Sequence, residues 1–271
     1  MSRYDDRRDG AGFLKQAKKQ FGQNFLHERG IIDRIVLALD VRPGDRIVEI
    51  GPGQGALTLP LLAKHGEITA IEFDRDLLAP LTTSAQRHGG TLRLIHRDVL
   101  QVDLTELARE LGGPIRLIGN LPYNLSSPIL FHALAHAASV IDMHFMLQKE
   151  VVERMAAAEG GKVYGRLSVM LQAYCRVTPL LKVPPGAFRP APKVDSAVVR
   201  LVPKPAGEVE VRDHDRFARI VRAAFGQRRK TLHNALKDVC DDDIIRAAGL
   251  APQLRAEQVP VAGFVRLANA G

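Results

Sequence analysis

The stretch Arg46-Ile47-Val48-Glu49-Ile50-Gly51-Pro52-Gly53-Gln54-Gly55 is a short apolar run that breaks into glycines just before a helical pattern resumes. Glycines at such a strand-to-helix turn let the backbone take positive φ and approach a ligand closely. Working outward, strand-like runs alternate with crossover-length helical stretches: ITAIEFD (68–74), LRLIHRD (92–98), IRLIGNLP (115–122) and MHFMLQ (143–148). This alternation predicts βαβ units around a parallel sheet, a Rossmann-like α/β fold. Upstream, Ile31, Ile32, Ile35, Val36 and Leu39 share one face of a helix expected over 29–40. Downstream, CRVTPLLKV (175–183) and AVVRLVP (197–203) flank a proline-rich loop over 183–192 and are expected to extend the same sheet as an antiparallel edge. No strand-like run remains after Pro203-Lys204-Pro205, and the pattern from Asp213 to Ala270 is helical.

The expected organisation is therefore a polar and basic arm over residues 1–17, an α/β domain over 18–204, and a small all-helical domain over 205–271. With 271 residues, 46% hydrophobic and 25% charged, the chain has the composition of a folded protein with a sizeable core. Its net charge of +8 favours a polyanion. No apolar run reaches the ~18 residues of a spanning helix, and Met1 to Gly10 lacks the apolar centre of a secretory signal. Nucleic acid in the cytoplasm is thus preferred over a membrane. Cys175 and Cys240 have no Cys or His partner at metal-ligand spacing, so neutral thiols and no metal site are expected.

Ligands of open α/β sheets bind beyond the carboxyl ends of the strands, and Gly51, Gly53, Glu72, Asp98 and Asn120 all fall at such ends. Glu72, about 20 residues past the first glycine, suits the hydroxyls of a ribose. Asp98 can accept a hydrogen bond from an adenine amine, or simply cap a turn. Gly51-x-Gly53-x-x-Ala56 also satisfies a dinucleotide fingerprint, so a nicotinamide cofactor stays open at this point, as does a glycine turn without a ligand.

Asn120-Leu121-Pro122-Tyr123 separates these readings. The lone pair of an adenine N6 amine is delocalised into the ring and must be localised before it can attack an activated methyl group. The Asn120 side-chain oxygen and the Leu121 backbone carbonyl supply two acceptors for its N–H groups. Pro122 stiffens the turn without adding an N–H, and Tyr123 offers a ring on which the base can stack. A plain proline turn with a half-buried tyrosine is the structural alternative. Arg228-Arg229-Lys230, with Arg216, Arg219 and Arg222 spaced by three before them, make a basic stripe suited to phosphates. Lys15, Lys18 and Lys19 form a second candidate patch, and a solvated basic face accounts equally for any single one of these residues.

The segments QFGQNFL (20–26), EIGPGQGALT (49–58), NLPYN (120–124), MHFMLQKEV (143–151), YGRLSV (164–169), VPPGAFRPAPKVDSAVVRL (183–201) and AFGQRRKTL (224–232) together resemble the bacterial small-subunit ribosomal RNA adenine dimethyltransferase A family. The resemblance implies a class I methyltransferase fold that uses S-adenosyl-L-methionine. It further implies dimethylation of the N6 amines of two adjacent adenosines in the 3′-terminal hairpin of 16S rRNA, in a 30S or pre-30S particle, as part of 30S biogenesis. By the same resemblance Asn24, Leu26, Gly51, Gly53, Glu72, Asp98 and Asn120 are expected at the cofactor. Asn120, Leu121 and Tyr123 are expected at the target amine, with Phe188 as a second stacking plate. RNA contacts are expected at Arg222, Arg228, Arg229 and Lys230, and a monomer is expected. Outside the family, Phe188 reads equally as core. Two other functions remain open at this stage: a ribosome-assembly factor without turnover, and a methyltransferase of large-subunit rRNA.

Overall fold

A computed structural model describes residues 23–227 and 229–271. The expected arm over 1–17, the lysines at 15, 18 and 19, and Arg228 lie outside the described residues. The chain divides into two compact units, one holding residues up to Leu147 with Leu181–Val198, the other Gln148–Leu180 with Val199–Gly271.

The first unit opens with a two-residue strand, β1 (Phe25–Leu26), and a helix, α1 (Arg29–Ala38). Glu28 caps α1 by accepting from the backbone N–H groups of Gly30 and Ile31 at 3.1 and 2.6 Å. Its buried face carries Ile31, Ile32, Ile35 and Val36, as the spacing predicted. Then follow β2 (Arg46–Ile50), α2 (Thr58–His65), β3 (Glu67–Glu72), α3 (Arg75–His88), β4 (Thr91–His96), α4 (Leu104–Glu110), β5 (Ile115–Asn120), α5 (Ser126–Ala135) and β6 (Val140–Gln148). β2 pairs in parallel with both β3 and β5, β3 with β4, and β5 with β6. A strand covered on both faces must be apolar almost throughout, which is why Ile47, Val48 and Ile50 are all buried.

The sheet order is β4-β3-β2-β5-β6-β9-β7, where β7 is Cys175–Val183 and β9 is Ser196–Pro203. These two runs join the same sheet beyond β6, as expected. After β2 the chain builds outward to β3 and β4, then returns to the other side of β2 with β5. The sense in which successive strands are added therefore reverses between the parallel neighbours β2 and β5, and a crevice opens at such a point beyond the strand ends. Between β7 and β9 lies a second two-residue strand, β8 (Phe188–Arg189), which pairs antiparallel with β1. The proline-rich loop thus contains a pairing that its composition did not announce.

In the second unit, α6 (Lys149–Met155) and α7 (Arg166–Tyr174) precede β7, and α8 (His214–Gly226), α9 (Leu232–Leu236), α10 (Asp242–Ala247) and α11 (Val261–Asn269) follow β9. The change of character expected after Lys204 falls where β9 ends. Packing draws α6 and α7 into the unit of the later helices. The buried Tyr164 hydroxyl donates to the Val259 carbonyl at 2.9 Å, and the Tyr174 ring meets Phe217 edge-on with centroids 6.0 Å apart. Among the described residues, no helix is long and apolar enough to cross a membrane. Both cysteines are free and buried.

Candidate active site

A cavity of about 210 Å3 opens at the carboxyl ends of β2, β3 and β5 in the first unit. Asn24, Leu26, Gly51, Gly53, Glu72, Asp98, Asn120, Leu121 and Tyr123 all line it, so nine positions singled out in the sequence converge on one space. Gly51, Gly53 and Gly55 have φ of 67°, 58° and 85°, conformations that a side chain makes costly. A Cβ at Gly53 would stand 3.2 Å from the Phe25 ring, whereas one at Gly51 would meet nothing within 4 Å. The loop is thus held closely on one side and left open on the other.

Glu72, the last residue of β3, accepts from the Gly53 N–H at 3.2 Å through one oxygen and from the Asp74 N–H at 2.7 Å through the other. These bonds, with a further one from the Phe73 backbone N–H, fix the carboxylate plane at the cavity wall. Burial pushes the Glu72 carboxyl up, against the pull of those N–H bonds. Glu49, 2% exposed, also lines the cavity and accepts from the Thr58 hydroxyl at 2.6 Å. Burial raises its carboxyl to about 7. Asp98 accepts from the Leu100 N–H at 3.0 Å with one oxygen, so it caps a turn and lines the cavity at once.

The turn after β5 is fixed from several directions. The Leu121 N–H donates to the Met146 carbonyl at 3.2 Å, and the Pro122 carbonyl accepts from Leu125 N–H and the Ser126 hydroxyl, both at 3.0 Å. The Asn120 amide nitrogen donates to the Asn24 carbonyl at 2.9 Å, which orients the amide and turns its oxygen into the acceptor. The Tyr123 hydroxyl lies 2.7 Å from the Ser196 hydroxyl, and burial pushes the phenol up, keeping it protonated. Gly119 is required just before the turn, because a Cβ there would sit 2.6 Å from the Ile50 carbonyl oxygen.

Phe188 does not line the cavity. It is 2% exposed and stands opposite Leu26, which does, in the β1–β8 pair. Arg222, Arg229 and Lys230 belong to the other unit and are exposed. Arg216 departs from the expected stripe, since its Nε and one terminal nitrogen are buried without a hydrogen-bond partner among the described residues. The sequence did not single out Phe73 or Ser196, and it marked Glu49 only as an intact carboxylate opening the glycine-loop segment. Phe73 lines the cavity while 58% exposed, and its place directly after Glu72 was the available signal. Among the described residues no group of three or more His, Cys, Asp and Glu side chains is placed to hold a metal.

The parallel sheet, the glycine loop after its central strand and the carboxylate ending the next strand are those of a class I methyltransferase. Among solved structures, a dimethyladenosine transferase from Plasmodium falciparum superposes with a TM-score of 0.77 at 26% identity, covering 90% of this chain and 95% of that one. The 23S rRNA methyltransferase ErmE shares the fold, with a TM-score of 0.68 at 23% identity over 91% of this chain and 99% of its own. The ribosomal RNA small subunit methyltransferase A of Xanthomonas campestris pv. campestris strain B100 is 67% identical over 96% of this chain and 98% of its own length. The sequence profile of the ribosomal RNA adenine dimethylases matches residues 14–270, and the chain belongs to that family.

Proposed function

We propose that this chain dimethylates the N6 amines of two adjacent adenosines in the 3′-terminal hairpin of small-subunit rRNA, in a 30S or pre-30S particle in the cytoplasm, with S-adenosyl-L-methionine as donor. The observation that carries this reading is the Asn120–Tyr123 turn, which brings two oxygen acceptors and an aromatic ring to the edge of a cavity built for a ribonucleoside. That cavity suits the donor: a glycine loop leaves room beside Gly51, and the fixed Glu72 carboxylate meets the ribose hydroxyls. When bound, the donor supplies a methyl group made electrophilic by its sulfonium.

The protein's residues do the rest by positioning. Because the Asn120 amide nitrogen is already engaged by Asn24, the Asn120 Oδ1 is the atom offered to one amine N–H. The Leu121 carbonyl takes the other, since the Pro122 carbonyl is occupied within the turn. Two such bonds draw the amine toward a tetrahedral shape and aim its lone pair. Tyr123 stacks on the extruded base, repaying part of the few kcal/mol spent on unstacking. The methylated nitrogen is acidic enough to lose its proton to water, so alignment rather than a strong base carries the rate. Exposed Arg222, Arg229 and Lys230 contact phosphates and orient the RNA.

The test is Asn120→Ala, assayed with labelled donor on undermethylated small subunits. The expected result is abolished transfer with unchanged circular dichroism and melting temperature. Full turnover would overturn the assignment, and label entering large-subunit rRNA in place of small-subunit rRNA would overturn the substrate.

A further inference from the structure

The geometry points to Ser196 as the residue that positions the Tyr123 ring for the target base. This rests on the reading above, in which Tyr123 faces that base. Ser196 opens β9, is 0% exposed, and places its hydroxyl 2.7 Å from that of Tyr123. A tyrosine ring has two free torsions. The backbone end is set by the turn, through the Leu121 N–H on Met146 and the Leu125 N–H on Pro122. The far end of a half-buried ring would otherwise swing, and the bond to Ser196 pins it. A serine hydroxyl buried this fully needs a partner, so the ring and the strand hold each other.

The consequence concerns alignment. A stacking plate sets the tilt of the base, and the tilt sets whether the N6 lone pair points along the line of transfer. Alignment errors of about 1 Å cost reactions of this kind up to about a hundred-fold. Ser196 also closes the loop that begins at Phe188, so the anchor of the ring sits on the same loop that pairs with β1. Ser196 reaches the base only through Tyr123 and is a positioning residue.

The experiment compares steady-state methyl transfer to undermethylated small subunits by Ser196→Ala, Ser196→Thr, Tyr123→Phe, Tyr123→Ala and the Ser196→Ala/Tyr123→Phe double variant. Ser196→Ala and Tyr123→Phe remove the same bond from opposite ends. Each is expected to lower kcat by about ten-fold while KM for the subunit stays within about two-fold, because phosphate contacts elsewhere set KM. The double variant is expected to lose no more than Tyr123→Phe alone, and Ser196→Thr, which keeps the hydroxyl, to regain most of kcat. Wild-type kcat in Ser196→Ala or in Tyr123→Phe, with Tyr123→Ala inactive, would overturn the role of Ser196 and leave the stacking role of Tyr123 standing. Losses that multiply in the double variant would overturn it too. Wild-type kcat in Tyr123→Ala would overturn both readings. Should Ser196→Ala unfold, Tyr123→Phe carries the test, since it leaves β9 untouched.

Discussion

Glu49 sits in the middle of the sheet with its carboxyl raised from 4.5 to about 7 by burial, and a raised carboxyl has a defined signature. Between those two values the native state holds more protons than the unfolded chain, so stability falls as pH climbs through that window. Glu49→Gln cannot titrate there and keeps an acceptor for the Thr58 hydroxyl. Its melting temperature is expected to gain on that of the wild type from pH 5 to pH 8, reaching a lead of several degrees, of the order that one or two kcal/mol produces. Parallel melting curves across that range would refute the buried, titrating carboxyl. The glycines divide the same way, by what surrounds them. Gly51→Ala strains the backbone at φ 67° but meets nothing, so about 1–2 kcal/mol of stability should go, with a larger loss of donor affinity measured by calorimetry. Gly119→Ala drives a Cβ to 2.6 Å from the Ile50 carbonyl and should cost at least about 1–3 kcal/mol. A Gly119→Ala protein as stable as the wild type would show that β2 and β5 do not approach this closely.

At the scale of elements, β1 and β8 are two residues each, and their pairing puts Leu26, a wall of the cavity, opposite Phe188. The His27 N–H extends the pair by donating to the Ala187 carbonyl at 2.9 Å. So short a ribbon has little stability of its own, and its two strands are expected to open together. Amides of 25–27 and 187–189 are therefore expected to exchange with solvent at matched rates, and a saturating donor to slow both sets together. Protection of 25–27 alone on adding donor would break this link. The same pair shows where sequence reading stops. The central strands were legible because burial on both faces makes their runs nearly all apolar, and because each ends on a residue of ligand type. The helices after β9 were legible from their period. A two-residue pairing between distant segments carries no period at all, and its partner loop looked like proline-rich turn. Glu49 was legible as a carboxylate of the glycine-loop segment but its burial was not, because a glutamate in a strand suggests an exposed face, whereas here a threonine hydroxyl receives it inside. Ser196 escaped because its role exists only through a contact with a residue far back in the chain. The grouping of α6 and α7 with the later helices escaped because alternation of strands and helices reports order along the chain and says nothing of which helices share a core.

For the molecule as a whole, the net charge of +8 matters only where it is free to meet phosphate. Many exposed cations are held by neighbouring acids, as Arg246 is by Asp242 and Asp243 and Arg154 is by Glu150. Such surface pairs add little to stability and are poor candidates for RNA. Arg222, Arg229 and Lys230 are the exposed cations proposed to meet it. Each phosphate contact releases condensed counterions, so the logarithm of the binding constant falls with the logarithm of salt by about 0.7–0.9 per contact. Replacing these three residues with alanine should therefore flatten the salt dependence of subunit binding by about 2 in slope and raise KM. Donor affinity, set in the other unit, should not change. Tyr123→Ala should do the reverse, lowering turnover at an unchanged salt slope, because a stacked ring releases no counterions. An unaltered slope in the triple variant would move the phosphate contacts to other cations, and a flattened slope in Tyr123→Ala would mean that orientation on the backbone and capture of the base are not separable in this protein.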